Sequence, residues 1–217
     1  MSSWIQNEYA RVCRTPSDIQ AHLPMLYEHA KECSHISELG VRAICSTYAF
    51  LNGLLSAPPP TTPTAFTATT IKTLVCVDLQ DAPGIERVKE NSQLEGIHVQ
   101  FIKGDSAKVE LEPTDLLFID TWHIYGHLKR ELEKHHTLVR KYIIMHDTEV
   151  DKIRGESVRN GWDIAKQSHE TGYSESEISR GLQEAIDEFL IKYPQWSLKA
   201  QYDYCNGLTI LKRVNAR

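Results

Sequence analysis

The 217-residue sequence holds five cysteines (Cys13, Cys33, Cys45, Cys76 and Cys205), an odd number with no CxxC pair among them. That argues against a disulfide framework. With Cys76 set inside the apolar run TLVCVDL, the thiols read as reduced core fillers of a cytoplasmic protein. No apolar stretch approaches the ~18 residues of a membrane span. The opening residues, MSSWIQNEYARVCR, lack the apolar core of a signal peptide. No membrane partner is therefore expected. A basic excess is missing too: the formal charge is −5 and the acids are spread along the chain. This argues against a nucleic-acid partner. Glycine is scarce where a dinucleotide would need it, because SELG is followed by Val41-Arg42-Ala43-Ile44-Cys45-Ser46 and not by GxGxxG.

What is present is an ordinary globular composition, 41% hydrophobic and 24% charged, which suits one domain over residues 1–217. Residues 1–33 read as a helical segment, with Thr15 and Pro16 starting a helix that Pro24 kinks or divides. HISELG is a short strand and ICSTYAFLNGLLSA a helix. A Pro/Thr-rich connection occupies 57–71, with four prolines and six threonines in residues 58–70. Beyond it, the apolar runs IKTLVCVDL, IHVQFIKGD, DLLFID and KYIIMHD alternate with the helical patterns PGIERVKENSQL and YGHLKRELEKHHTLV. Such alternation predicts βαβ units and a parallel sheet. Residues 150–180 read as a lid or a homodimer contact. An amphipathic helix, SRGLQEAIDEFLIKYPQW, then leads to two strands joined at Asn206-Gly207, a hairpin signal. The expected fold is α/β: a mostly parallel sheet, a C-terminal antiparallel hairpin, and helices on both faces.

In an open parallel sheet, ligands bind beyond the carboxyl ends of the strands. The polar residues there are Glu38 and Gly40, Asp78, Gly104 and Asp105, Asp120, and His146 with Asp147. One acid at a strand end can simply cap the next helix. Five together point to a site. Asp78 ends the second strand, where an acid grips ribose hydroxyls. Glu38 would repel a pyrophosphate but suits a cationic amino group, which favours S-adenosylmethionine over NAD.

The stretches ISELGVRAICSTYAFL, LVCVDL, IKGDS, LLFIDTWHIYGHLKREL and YIIMHDT resemble, in order, the motifs of class I S-adenosylmethionine-dependent methyltransferases. Within that family the chain looks like the small sugar O-methyltransferases of the rhamnosyl and macrocin type and the cephalosporin-hydroxylase-like proteins. A narrower likeness is to glycan-modifying proteins of chlorella-infecting large DNA viruses, which would work in host cytoplasm. The likeness covers roughly residues 34–150, and CNGLTIL matches the last strand; the glycine-poor first motif departs from the pattern. The resemblance implies that Glu38, Gly40, Ser46 and Thr47 hold the methionine moiety. It puts Asp78 on the ribose, Gly104, Asp105 and Ser106 by the adenine, and Asp120 at the methyl-transfer end.

Asp120 and Asp147 end neighbouring strands, and two converging carboxylates repel unless a cation or a proton lies between them. A divalent ion with oxygen ligands resolves this, and related sugar O-methyltransferases bind magnesium at the matching positions. His146 stands where those proteins often carry an acid, which suits manganese or leaves His146 outside the ligand set. His123, three residues past Asp120, is the candidate base towards a sugar or glycan hydroxyl. His127, one turn on, is a weaker candidate for the same site. His135 and His136 would complement the helix dipole, and Trp122 and Tyr125 would wall the acceptor pocket. Two rivals carry less of this pattern. One is an HD-type metal phosphohydrolase, suggested by the His146-Asp147 pair; the other is a non-catalytic cofactor-binding module. Another small-molecule O-methyltransferase or hydroxylase-like activity on the same fold is the nearer alternative.

Overall fold

The computed structural model describes residues 3–58 and 71–214. The Pro/Thr-rich connection read at 57–71 lies outside the described residues except at its ends. The strands are β1 (His35–Leu39), β2 (Lys72–Asp78), β3 (Ile97–Lys103), β4 (Thr114–Ile119), β5 (Val139–His146), β6 (Trp196–Tyr202) and β7 (Leu208–Arg213). They form one seven-stranded sheet in the order β3-β2-β1-β4-β5-β7-β6. β1, β2 and β3 run parallel, with Ile36 opposite Leu74 and Leu74 opposite Val99. β7 is antiparallel to both β5 and β6. This is the expected mostly parallel sheet with a terminal hairpin. Contacts group the chain into two compact units, Met1–Phe118 and Ile119–Arg217.

The first unit adds α1 (Trp4–Val12), α2 (Leu23–Ala30), α3 (Cys45–Ser56) and α4 (Ile85–Leu94). The start of the chain differs from the sequence reading. α1 lies in the stretch read as helical and is begun by a capping box in which Ser3 and Gln6 exchange side-chain and backbone hydrogen bonds. Thr15 caps no helix; its hydroxyl donates to the Arg11 carbonyl at 2.9 Å. Pro24 lies in the first turn of α2, where a missing N–H costs nothing, so it begins a helix rather than kinking one. Gly53 lets α3 lie against α2, since a Cβ there would stand 2.3 Å from Ala30 Cβ. Leu74, Cys76 and Val77 of β2 are buried as the apolar run implied. Asp115, buried in β4, accepts from Ser34 N at 2.8 Å and Ser34 Oγ at 3.0 Å.

The second unit adds α5 (Tyr125–His135), α6 (Glu156–Arg159), α7 (Ile164–Thr171), α8 (Glu175–Ser179) and α9 (Leu182–Lys192). α5 and α9 pack together, burying Leu128 and Leu132 of one and Ala185 and Phe189 of the other. Residues 150–180 form three short helices. Tyr173 and Ile178 pack with Ile124 in a buried cluster joined by Trp122 and Ile164. Gly155 and Gly181 allow this close approach, a Cβ at 155 falling 2.3 Å from the Ile178 carbonyl. The Asn206-Gly207 signal does mark a hairpin, but its loop runs over 203–207, with Cys205, Asn206 and Gly207 all at positive φ. That loop docks on the turn after β5, the Asn206 carbonyl accepting from Glu149 N and Val150 N, each at 3.0 Å. Among the described residues, no helix is long and apolar enough to cross a membrane.

Candidate active site

In the first unit, the loop after β1 answers how a glycine-poor stretch can turn so sharply. Gly40, Arg42 and Ile44 adopt φ values of 86°, 40° and 61°. A β-branched residue in the left-handed region costs about 1–3 kcal/mol. Asp78 helps hold the loop there: its Oδ2 accepts from Val41 N at 2.9 Å and Arg42 N at 3.1 Å, and Oδ1 accepts from Gln80 N at 2.9 Å. Arg42 also pairs with Asp18. Glu38 is fully buried, and its carboxylate accepts from Ser46 Oγ at 2.5 Å, Thr47 Oγ1 at 2.8 Å and Cys76 Sγ at 3.4 Å. Glu38, Ser46 and Thr47 are thus brought together, as the sequence implied, at the start of α3. The first turn of that helix carries no side-chain cap. Gly104 donates to the Asp78 carbonyl at 2.9 Å. Asp105 opens its own turn, accepting from Ala107 N at 3.0 Å and pairing with Lys108 at 2.9 Å; Ser106, buried, follows within that turn.

The second unit gathers the histidines and acids. Asp120 follows β4, and Asp147 follows β5 in a left-handed turn at φ 57°. His146 Nδ1 lies 3.4 Å from Asp120 Oδ1 and 3.6 Å from Asp147 Oδ2, while its Nε2 meets the Cys205 carbonyl at 3.1 Å. His123 stands between the same acids. Its Nε2 is 3.2 Å from Asp120 Oδ1, and its Nδ1 is 3.1 Å from Asp147 Oδ2, 3.5 Å from Asp151 Oδ2 and 3.7 Å from Glu156 Oε2. Asp151, fully buried, is gripped by both arms of the Arg159 guanidinium at 2.6 and 3.0 Å.

Burial alone would raise the Asp120 carboxyl, but hydrogen bonds from His123 and His146 outweigh it and hold the group well below the usual carboxylate range. Burial would likewise lower both imidazoles. The surrounding carboxylates reverse that, raising His146 and holding His123 well above its ordinary value. Asp147 moves up, since burial exceeds the pull of the two histidines. Asp151 moves down despite burial, because His123 and Arg159 both favour its charge.

The cluster can hold a cation by a specific route. With a proton on His146 Nε2 directed at the Cys205 carbonyl, Nδ1 would present its lone pair to the two carboxylates. Three electron-rich atoms converging this way repel one another unless a proton or a metal ion sits among them, and a metal-bound imidazole typically donates its other N–H to a carbonyl. Asp120, His146 and Asp147 offer ligand atoms within 4.8 Å of one another, a set that suits a divalent ion such as manganese. His146 therefore fits within the ligand set.

Several expectations need correction. Tyr125 is buried, and its hydroxyl donates to Glu188 at 2.8 Å, so it walls no pocket beside the cluster. Trp122, by contrast, lines a small cavity with His123 and His146 while it packs on Tyr173 and donates to Ser157 Oγ at 3.2 Å. His127 engages the Tyr173 hydroxyl at 2.8 Å and Glu131 at 3.3 Å, apart from Asp120, His146 and Asp147. His136 is no dipole-complementing cation. It is buried against Tyr193, 4.0 Å between ring centres, and burial lowers its pKa. The His146-Asp147 pair ends a strand, which removes the main support for an HD-type hydrolase. Sequence reading missed Asp151, Glu156 and Arg159. Asp151 had a signal, its i+4 spacing from Asp147, here a closed turn with Asp151 N donating to the Asp147 carbonyl at 3.1 Å.

No protein-family model matches the sequence. No curated protein matches it either. Solved structures do resemble the fold along nearly the whole chain. The SAH-bound Podospora anserina methyltransferase PaMTH1 is 14% identical, with a TM-score of 0.57 over 99% of this chain and 89% of that one. An O-methyltransferase from Bacillus cereus in complex with SAH is 15% identical, at 0.55 over 98% and 92%. The Streptomyces achromogenes O-methyltransferase TomG, in complex with SAM, is 11% identical, at 0.55 over 99% and 92%. At these identities the likeness establishes the fold alone: a Rossmann-like α/β sheet shared with those methyltransferases.

Proposed function

We propose that this protein is an S-adenosylmethionine-dependent O-methyltransferase acting on a sugar hydroxyl, with rhamnose in a glycan as the leading acceptor. The observation that carries the metal part is His146, whose Nδ1 faces Asp120 and Asp147 while Nε2 lies 3.1 Å from the Cys205 carbonyl. Asp120, His146 and Asp147 would hold a magnesium or manganese ion. When bound, such an ion lowers the pKa of a coordinated hydroxyl by several units. His123 would take the hydroxyl proton at Nε2. To act so, His123 would have to give up the second proton that the four carboxylates around it favour, and it would do so more readily with Asp120 and Asp147 engaged as ligands.

The cofactor end draws support from the first unit. Glu38, Ser46 and Thr47 shape the start of α3, whose uncapped first-turn amides suit the carboxylate of a methionine moiety. Gly40 starts the loop, and Asp78, with Gly104, Asp105 and Ser106, would receive the adenosine. The solved O-methyltransferases of the same fold that carry SAH or SAM favour that cofactor over NAD. The sulfonium supplies the electrophile, so these residues have only to bind and align.

The test is methyl transfer from labelled S-adenosylmethionine to rhamnose-bearing oligosaccharides, using chelator-treated protein with and without added manganese. Transfer that needs the ion supports the reading. Tight NAD binding with no response to S-adenosylhomocysteine would sink the cofactor assignment, and full transfer in excess chelator would remove the metal.

A further inference from the structure

We propose a second divalent-cation position, built by His123 Nδ1, Asp147 and Asp151 with Glu156 at its rim, and sharing Asp147 with the first. It rests on the reading above only in taking the first ion to sit on Asp120, His146 and Asp147. The spacing is the first argument. Around an ion with ligand distances near ~2.1 Å, adjacent ligand atoms stand about 3.0–3.4 Å apart. His123 Nδ1 lies 3.1 Å from Asp147 Oδ2 and 3.5 Å from Asp151 Oδ2, with Glu156 Oε2 at 3.7 Å. His123, Asp147 and Asp151 offer ligand atoms within 4.8 Å of one another, as the first set does.

Orphaned polar atoms are the second argument. Asp147 Oδ1 is buried without a hydrogen-bond partner on a side chain only 9% exposed, and His123 Nδ1, although 3.1 Å from Asp147 Oδ2, makes no well-aligned hydrogen bond. Such groups are costly to bury and in native proteins usually mark a missing ion or water. Charge is the third. Four carboxylates converge on His123, and among the described residues Arg159 is the guanidinium that joins the cluster. One divalent ion plus Arg159 supplies three positive charges against these four carboxylates, and the fourth must come from a protonated imidazole or from a second cation. Arg159 also orients Asp151, taking Oδ1 at 2.6 Å and Oδ2 at 3.0 Å, so that the Oδ2 edge faces His123.

This position has a consequence for His123. A neutral imidazole with an ion on Nδ1 carries its proton on Nε2 and cannot accept another there. The second ion and the base role are therefore mutually exclusive, and excess divalent ion should inhibit an enzyme that a first ion activates.

Manganese titration of the full chain, followed by calorimetry and electron paramagnetic resonance, tests the proposal without any acceptor. Two ions per chain are expected, the second bound at least about tenfold more weakly, with a spin-coupled signal once both are present. Asp151→Asn should remove the weaker event and leave the tighter; His146→Gln should weaken the tighter event about 10–100-fold and leave the weaker. His123→Gln serves as the second variant should Asp151→Asn fail to fold in circular-dichroism melts, and it too should remove only the weaker event. A single event weakened by His146→Gln and untouched by Asp151→Asn or His123→Gln would overturn this inference while leaving the proposed function standing. No manganese binding at all would overturn both the second position and the metal part of that function.

Discussion

Single residues here carry tasks that their types alone do not reveal. His146 is the clearest, because one ring nitrogen is committed to a carbonyl and the other to two acids. His146→Gln should weaken the tighter manganese event by about 10–100-fold, as loss of a ligand or its orienting partner commonly does; an unchanged isotherm would take His146 out of the ligand set. Asp78 works on the backbone of the loop after β1. Asp78→Asn keeps the shape and loses the charge, so chemical denaturation should show a loss of about 1–2 kcal/mol. Binding of S-adenosylhomocysteine, expected in the micromolar range, should weaken by roughly tenfold if Asp78 also receives the ribose. Stability loss with unaltered binding would confine Asp78 to the loop.

At the scale of elements, close packing sets the tolerances. α3 rests on α2 at Gly53, where an added methyl would overlap Ala30 Cβ. Gly53→Ala should therefore destabilise the fold by about 1–3 kcal/mol, although alanine is the better helix former in isolation. A more stable Gly53→Ala in urea melts would show that the two helices can part at little cost. The end of α5 makes a pH-dependent contribution. Burial, with Arg213 nearby, lowers the His136 pKa in the folded state. The unfolded chain takes up that proton near pH 6.5, so it binds more protons than the folded chain just below that pH. Stability from this site is complete above pH 6.5 and declines as the pH falls towards the lower, folded value. Melts of His136→Phe between pH 7 and 5 should be less pH-dependent than the parent, and an identical slope would assign the acid sensitivity elsewhere.

For the whole molecule, an ion that binds only the folded chain must stabilise it. Manganese at a hundred times its dissociation constant should add about 2.7 kcal/mol, read as a rise in melting temperature that chelator reverses. No shift at saturating manganese would mean that the cluster holds no ion in the native state. The strands, the α/β class and the terminal hairpin were legible in the sequence, because apolar runs of four or five residues bounded by turn residues are short-range signals. Asp120, His123, His146 and Asp147 were legible as a group because each lies within a few residues of a strand end. α1 falls in the stretch read as helical, but its start at the capping box of Ser3 and Gln6 was not singled out, and Thr15-Pro16 imitated a helix start that tertiary packing did not use. The sequence by itself determined which residues form strands and which acids and histidines reach the sheet's carboxyl edge, since backbone periodicity is local. Only the tertiary structure decided that Asp151, Glu156 and Arg159 close around His123, that His127 turns to Tyr173, and that Asp78 grips the loop after β1. Those outcomes depend on the packing of side chains tens of residues apart, where burial and charge compensation choose the partners.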